Sequence, residues 1–295
     1  MTAQREDVTE LPGMETPVLG PTGRPLTVFP VPPKIKSHGP ARIIALCNQK
    51  GGVGKTTTAI NLGASFAEYG RRTLVVDFDP QGALSAGLGV PTHDAVTVYD
   101  LLLGTVKDVS SAIVPTASEN LDVIPANIDL SAAEVHLVNE VAREQILARV
   151  LRQVADRYDV ILIDCQPSLG LLTVNALTAA HGVLIPLECE YFALRGVALL
   201  VETVEKVRDR LNPAIKLDGI LATMYDSRTL HSREVLERVV EAFGDSVLET
   251  VIGRTVKFPD ASVAGAPLNT FAPDHAAAEA YRQVARELIA RGAVA

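Results

Sequence analysis

The chain has 295 residues, 47% of them apolar and 21% charged, so its composition is near the norm for globular proteins and allows a large core. Its formal net charge of −8 excludes a nucleic-acid binder of the strongly basic type, although a local basic face stays open. The three cysteines, Cys47, Cys165 and Cys189, lack metal-site spacing and predict a reducing, cytoplasmic compartment, and neither a signal peptide nor a membrane span is predicted.

Residues 1–40 differ from the rest of the chain in composition, since eight of its 18 prolines lie there. Proline fixes one backbone angle and cannot donate a hydrogen bond, so we expect a proline-rich flexible or extended tail. The tail could be a bare spacer or an arm that binds a partner or DNA. The globular domain is expected to span residues 41–295.

Beyond the tail, short apolar runs typical of buried strands alternate with stretches of helical periodicity. The predicted strands are ARIIALCNQ, RTLVVDFDP, NLDVIPAN, YDVILIDCQP, HGVLIPLE, KLDGILATMYD and SVLETVIG. The predicted helices are KTTTAINLGASFAEYG and stretches near residues 131–156, 169–180, 194–211, 231–243 and 275–291. This alternation predicts an α/β fold, with a mostly parallel twisted sheet that carries helices on both faces.

The stretch NQKGGVGKTTT follows the first predicted strand and nearly matches the phosphate-binding pattern G-x-x-x-x-G-K-[ST], with Gln49 in place of the first glycine. Its glycines allow successive backbone N–H groups to point inward, and with the helix N-terminus these form an anion cradle. We expect Lys55 to contact the β- and γ-phosphates of a nucleotide and Thr56 to bind Mg²⁺. The residues expected to bind the nucleotide here are Gly51, Gly52, Val53, Gly54, Lys55, Thr56 and Thr57. The extra lysine of the loop, Lys50, is either a further nucleotide-binding residue or a surface charge.

Carboxylates end two further predicted strands. Asp77 and Asp79 are two residues apart in VVDFDPQG, so they share one strand face near its carboxyl end. Asp164 ends the apolar run VILID, which reads as a Walker B strand, and is expected to hold Mg²⁺.

The motif KGGVGKTT resembles the deviant Walker A motif of the ParA/MinD group of P-loop ATPases. DFDPQG resembles the switch I motif of that group, and DCQPSLG resembles switch II, with Gln166 where the family usually has proline. Further segments between about residues 40 and 290, among them LDVIPANIDLSAAE, VLIPLECEYFALRG and IGRTVKFPDASVAGAPL, are similar to the chromosomal ParA (Soj-like) branch.

The resemblance implies an ATPase with weak basal activity that uses ATP and Mg²⁺ and forms a homodimer with ATP between its subunits. It implies that Lys50 reaches across the dimer interface and acts with Lys55 and Asp79 in catalysis. By the same resemblance Asp79 orients the attacking water and belongs to the metal site with Thr56 and Asp164. Met224 and Arg254 are expected to flank the adenine.

The resemblance also implies partners and a location. The ATP-bound dimer would bind double-stranded DNA without sequence preference and would be nucleoid-associated. A ParB-type centromere-binding protein would stimulate hydrolysis and so drive chromosome segregation. The implied DNA contacts are Arg228, Arg233, Arg254 and Lys257, and ordinary surface or intramolecular pairing is the alternative for each.

Two other functions stay open at this stage. A MinD-like or cargo-positioning ATPase would act at a membrane or another surface, and MinD-type chains end in a basic amphipathic helix. The C-terminal stretch here has only a modest apolar stripe, Tyr281, Val284 and Leu288, which predicts a helix packed on the sheet and no membrane partner. The other alternative is a nucleotide-dependent scaffold with negligible ATPase activity.

Overall fold

The computed structural model describes residues 18–190 and 193–295. Within these ranges seven strands form one sheet: β1 (Arg42–Leu46), β2 (Thr73–Phe78), β3 (Val114–Pro115), β4 (Leu121–Ile124), β5 (Val160–Cys165), β6 (Gly182–Glu188) and β7 (Lys216–Thr223). Their order across the sheet is β3-β4-β2-β5-β1-β6-β7. All neighbouring pairs are parallel except β3 with β4, so one short antiparallel strand closes an edge.

Both faces of the central strands are buried. In β1, Ile43 and Ala45 belong to the apolar cluster on one face, and Ile44 and Leu46 belong to the cluster on the other. Continuous apolar runs such as VILIDC therefore alternate between two cores, as expected for parallel strands covered on both sides. The predicted α/β fold with a mostly parallel sheet is confirmed.

The helices of the described ranges cover this sheet. They are α1 (Lys55–Glu68), α2 (Ala83–Gly87), α3 (Val98–Leu103), α4 (Ala133–His136), α5 (Ile146–Arg152), α6 (Leu171–Ala179), α7 (Ala193–Arg210), α8 (Leu230–Phe243), α9 (Lys257–Val263), α10 (Leu268–Phe271) and α11 (Ala276–Ala290). The four predicted helices after residue 168 correspond to α6, α7, α8 and α11. The short helices α2, α3, α9 and α10 were not predicted, because four to seven residues show no clear periodicity.

The long helix predicted near residues 131–156 is wrong. The chain forms α4, a few 3₁₀ turns and then α5, and it breaks where Glu140 is extended and Ala142 has a φ of +53°. The break lets Leu137 and Leu147 both reach the core, where each is almost fully buried. In a continuous helix, the helical periodicity would fix the directions of these two side chains relative to each other.

The predicted strand SVLETVIG is also wrong. It runs beside β7 and makes a few backbone hydrogen bonds to it, but its pairing is limited to isolated bridges at Val247 and Gly253. The backbone N–H groups of Glu249 and Thr250 donate to the buried carboxylate of Glu287 on α11, at 2.8 and 3.0 Å. The side chain of Glu287 thus accepts hydrogen bonds from two backbone N–H groups that a strand would use to pair within the sheet.

Replacing Glu287 with alanine is expected to lower the free energy of unfolding by about 3–5 kcal/mol. The carboxylate is fully buried and also accepts from Arg291 at 2.7 Å, so its loss leaves two backbone donors and one cation without their partner. Urea denaturation of the nucleotide-free protein measures this change. Glu234→Ala, on the exposed face of α8, is the control and should change stability by less than about 0.5 kcal/mol. Equal stability of the two variants would contradict the prediction.

The proline-rich segment contacts the domain at several points between residues 18 and 40, although Val28 and Val31 are exposed. Arg24 donates to the carbonyl of Val247 at 3.0 Å, and His38 lies 2.8 Å from Asp159 just before β5. These contacts join the described segment to the domain near its beginning and near its end. The first 17 residues of the predicted tail lie outside the described ranges.

The C-terminal helix α11 packs against α1. The hydroxyl of Tyr281 lies 3.0 Å from that of Thr58, and Val284 and Leu288 are fully buried. The stripe belongs to the apolar cluster that covers one face of the sheet, as predicted, and α1 is the main helix that it contacts. In the part of the chain that the structure describes, no helix combines the length and apolar character needed to cross a bilayer.

Candidate nucleotide-binding site

The loop between β1 and α1 is held in place by its first residue. The amide of Asn48 donates to the carbonyl of Pro186 on β6 at 2.8 Å, and its side-chain oxygen accepts from the backbone of Lys50 at 3.0 Å. At the other end of the loop, the hydroxyl of Thr223 on β7 donates to the carbonyl of Val53 at 2.9 Å. Two neighbouring strands therefore fix the shape of the loop before a ligand arrives.

The glycines of the loop have the conformation that an anion cradle needs. Gly52 and Gly54 have φ of +76° and +85°, in the left-handed region that other residues rarely adopt. No atom lies within 4 Å of a Cβ built at Gly51 or Gly52, so the space above the backbone is open. The loop exposes its N–H groups at the start of α1, where a phosphate is favoured.

Lys55 is the first residue of α1 and points back over the loop. Its side chain is almost completely buried, and its amine donates to the carbonyl of Lys50 at 3.1 Å. Burial lowers the pKa of this amine, and the nearby charge of Asp164 acts in the opposite direction. A bound phosphate would supply the countercharge that this buried cation lacks.

Asp164 lies beside the loop at the carboxyl end of β5. It is 1% exposed, and neither of its carboxylate oxygens has a hydrogen-bond partner among the described residues. Burial, with the nearby Asp77, raises the pKa of Asp164 to about 8, while the positive charge of Lys55 acts against the rise. An unpartnered buried carboxylate is costly, so its oxygens need a cation or a proton.

The residues present fit Mg²⁺. Thr56, in the first turn of α1, and Asp164 would hold the ion, since it prefers carboxylate and hydroxyl oxygens and usually keeps waters and substrate phosphates as further ligands. The described residues contain no cluster of three or more His, Cys, Asp or Glu side chains that could hold a metal by themselves. Waters and nucleotide phosphates would supply the further ligands of the ion.

The two carboxylates of switch I have different surroundings. Asp77 pairs with Asp164 across β2 and β5, is fully buried, and accepts from the backbone and hydroxyl of Ser85 at 2.9 and 2.6 Å. Burial raises the pKa of Asp77 to about 6 despite these bonds. Asp79 is partly exposed, and one oxygen accepts from the backbone of Gln81 at 3.0 Å. Asp77 anchors α2, and Asp79 keeps an oxygen free for a ligand or water.

Lys50 points away from the cradle. Its amine lies 3.0 Å from Glu188 at the end of β6 and also contacts Glu190. The other oxygen of Glu188 accepts from Arg254 at 3.1 Å. The two lysines of the loop therefore diverge, one toward the phosphate space and one toward an acidic pair.

A cavity of about 310 Å³ adjoins the loop beside α1. Its lining includes Met224 and Arg254, which were predicted to flank the adenine, and Thr57 from the loop. Phe258 and Pro259 also line it, and sequence reasoning missed them. An apolar cavity with a few polar groups is typical of a site for a planar base. The only signal for the two missed residues was their place four and five residues after Arg254.

The four residues predicted to contact DNA do not form a surface of unpaired basic side chains. Arg228 makes two bonds to Asp226, at 2.9 and 2.8 Å, and Arg254 is paired with Glu188. Lys257 lies 3.3 Å from Asp260. Arg233 is exposed on α8 and has no ion-pair partner among the described residues. Three of the four are thus held by a carboxylate of the same chain.

The loop that follows β5 contains Gln166 where related sequences usually have proline. A hydrogen bond of Gln166 restrains this loop, whereas the ring of a proline would restrain its backbone directly. The amide of Gln166 donates to Glu134 at 3.2 Å, and the same carboxylate accepts from the backbone of Leu172, near the start of α6, at 3.4 Å. A Cβ at Gly170 would lie 2.2 Å from Glu134, so only glycine fits there without a shift. The loop is tied to α4 by side chains.

A glycine cradle at a helix N-terminus, a buried lysine and an unpartnered buried carboxylate define a P-loop nucleotide-binding protein. The family model described as "AAA domain" matches residues 41–217. The chromosome-partitioning ATPase Soj of Treponema pallidum is 51% identical over 85% of this chain and 98% of its own length. An uncharacterized protein of Mycobacterium tuberculosis is 61% identical over 92% of this chain and 86% of its own.

Among solved structures, the cobyrinic acid a,c-diamide synthase of Mycobacterium smegmatis with bound ADP and magnesium is 44% identical, with a TM-score of 0.75. The match covers 84% of this chain and 94% of that one. The chain therefore belongs to the ParA/MinD group of P-loop ATPases, within it to the ParA (Soj-like) branch. Its cofactors are ATP and Mg²⁺.

Proposed function

We propose that two copies of this chain close over ATP, and that the dimer binds DNA without sequence preference and partitions chromosomes. The divergence of Lys50 and Lys55 carries the proposal. Lys55 already faces the phosphate space of its own subunit, whereas Lys50 lies at the rim with its side chain about half exposed. A second lysine placed outward at the loop is available to the nucleotide of a partner subunit. The names of the Soj and ParA relatives support this role.

In this proposal the chain acts mainly by positioning and by charge neutralisation. The loop N–H groups and Lys55 bind the β- and γ-phosphates, and Lys50 of the partner subunit adds a second positive charge. Thr56 and Asp164 hold Mg²⁺, which when bound neutralises phosphate charge. Asp79 holds the attacking water in line and accepts its proton. Met224 and Arg254 enclose the base.

Slow basal turnover is part of the proposal, because Asp79 is partly exposed and the closed site needs a second subunit. A ParB-type centromere-binding protein would stimulate hydrolysis, return the dimer to monomers and release it from the nucleoid. The test is an ATPase assay with and without DNA and such a partner. We expect stimulation only when both are present, and equal rates in all four mixtures would contradict the proposal.

Lys50→Ala is expected to keep ATP binding and to lose the ATP-dependent dimer. The side chain points away from the phosphates of its own subunit, so its removal should change nucleotide affinity by less than about threefold. Light scattering coupled to gel filtration, with ATP and Mg²⁺, measures the dimer. The matched control is Lys206→Ala, which removes a lysine that pairs with Glu202 on α7. An unchanged dimer in the Lys50 variant would contradict its role across the interface.

DNA binding is expected to weaken steeply with salt and to depend on Arg233. Each phosphate contact that is lost should reduce the slope of log affinity against log salt by about 1. Arg233→Ala removes one contact per subunit, so a dimer should lose about 2 in slope. Arg149→Ala, another exposed arginine but on α5, is the control. Fluorescence anisotropy with two unrelated duplexes makes the measurement, and an unchanged slope would remove Arg233 from the interface.

A second candidate, amide synthesis, follows from the name of the Mycobacterium smegmatis structure. A nucleophilic thiolate that could release ammonia from an amide donor is not evident, since Cys47, Cys165 and Cys189 are all buried. Burial raises the pKa of Cys165, and it raises that of Cys189 to about 12. ATP turnover that rises on addition of cobyrinic acid and glutamine would favour this candidate over DNA partitioning.

A surface-positioning role is tested by liposome flotation beside a DNA-shift assay. The apolar stripe of α11 is buried against α1, so we expect no liposome binding. Liposome binding without DNA binding would overturn the proposed function.

A further inference from the structure

Glu188 joins two loops that the proposed function uses separately. It ends β6, which pairs with β1, so its side chain lies beside the phosphate-binding loop. One oxygen is 3.0 Å from the amine of Lys50, and the other is 3.1 Å from the guanidinium of Arg254. Glu190 contributes a second carboxylate to Lys50. We call Glu188 and Glu190, with the amine of Lys50, the lysine clasp.

Burial makes Glu188 the stronger half of the clasp. Its side chain is 12% exposed, whereas that of Glu190 is 53% exposed. Exposed ion pairs contribute little, because water and salt screen them and long side chains lose freedom. A largely buried carboxylate is different, since it is costly when it lacks a cation. The contacts with Glu190 and Glu188 raise the pKa of Lys50, so the amine stays charged in the clasp.

The clasp and the partner's nucleotide compete for the same amine. Lys50 cannot contact the carboxylates of its own subunit and a phosphate across a dimer interface at once. Arg254 lowers the cost of the exchange, because it stays within 3.1 Å of Glu188 when Lys50 leaves. The buried carboxylate then keeps one cation, and the release of Lys50 does not leave it unpaired.

We propose that Glu188 is a positioning residue that stores Lys50 on its own subunit and thereby sets the ATP concentration at which two subunits close. This inference rests on the proposed role of Lys50 across the interface. In the nucleotide-free chain the lysine clasp holds the side chain of Lys50 against its own subunit. The dimer forms when the amine of Lys50 is attracted more strongly by the bound triphosphate of the partner subunit than by the two carboxylates of its own subunit.

Glu188→Gln tests the proposal, because it removes the charge and keeps the shape. The ATP concentration for half-maximal dimer should fall by about three- to tenfold, as expected for the loss of one partly buried ion pair. Glu190→Gln should give a smaller decrease, and Glu188→Asp should restore much of the wild-type value. Glu202→Gln is the matched control, since Glu202 pairs with Lys206 at 2.7 Å on the exposed side of α7.

A second comparison separates storage of Lys50 from a general gain in ATP affinity. In a Lys50→Ala background, Glu188→Gln should leave the affinity for ATP within about twofold, because the lysine that Glu188 holds is gone and the exposed pair with Arg254 contributes little. A larger gain would mean that Glu188 acts on the nucleotide directly, which would overturn the proposal. A wild-type ATP threshold in Glu188→Gln would also overturn it.

Acylation of lysine amines, followed by mass spectrometry, tests the clasp without any dimer. In the nucleotide-free protein, Glu188→Gln and Glu190→Gln should each raise the labelling of Lys50, and the labelling of Lys206 should stay constant. Equal labelling of Lys50 in all variants would overturn the clasp. Raised labelling, in a protein that never dimerises with ATP, would support the clasp and overturn the proposed function.

Discussion

Asp79→Ala is expected to lower ATP hydrolysis by about 10²–10⁴-fold, the range for loss of a positioned proton acceptor, while ATP binding is kept. The side chain lies at the end of β2, and only one of its oxygens is committed within the described chain, to the backbone of Gln81 at 3.0 Å. Its removal takes away the group that holds the attacking water and leaves the loop and Lys55 intact. ATP-bound dimers should therefore accumulate.

The measurement pairs phosphate release with light scattering at saturating ATP. Asp209→Ala, which removes an exposed aspartate on α7, is the control for general effects of losing a carboxylate. Hydrolysis at the wild-type rate by the Asp79 variant would show that another group holds the water. Loss of ATP binding would show that Asp79 belongs to the binding site for the nucleotide itself.

Asp164→Asn is expected to stabilise the nucleotide-free protein at high pH and to abolish Mg²⁺-dependent hydrolysis. Burial, with Asp77, raises the pKa of Asp164 to about 8, far above the usual value for an aspartate. The folded protein therefore binds a proton that the unfolded chain has released, and wild-type stability falls as pH rises toward 8. Relative to the variant, the decline is at most about 1.4 kcal/mol per pH unit.

Urea denaturation from pH 5 to 9 compares the two proteins without nucleotide, so that titrating groups remote from Asp164 cancel, whereas the nearby Asp77 titrates differently in the variant. The gap in unfolding free energy should widen up to about pH 8 and then stay constant. With ATP and Mg²⁺, thermal stabilisation should be large for the wild type and small for Asp164→Asn, because bound ligand stabilises the folded state by mass action. A gap that does not change with pH would show that Asp164 is ionised in the free protein.

Local patterns in the sequence sufficed for the central sheet and for the phosphate loop. The strand runs are long, apolar and followed by glycine or carboxylates, and each of these signals depends on a few neighbouring residues. The failures involve longer-range competition. The break at Ala142 serves two core contacts, and Glu287 takes the N–H groups of the segment SVLETVIG. Glu287 lies 37 residues beyond Thr250, and the core that receives Leu137 and Leu147 is assembled from elements distant in sequence.

The sequence by itself determined the α/β fold and the use of ATP and Mg²⁺, because the strand runs and the loop motif are local patterns. Only the tertiary structure decided which charged side chains form ion pairs within the chain. It pairs Arg228, Arg254 and Lys257 with carboxylates and places Lys50 against Glu188. The physical reason is that an ion pair depends on distance in space, and burial sets its strength.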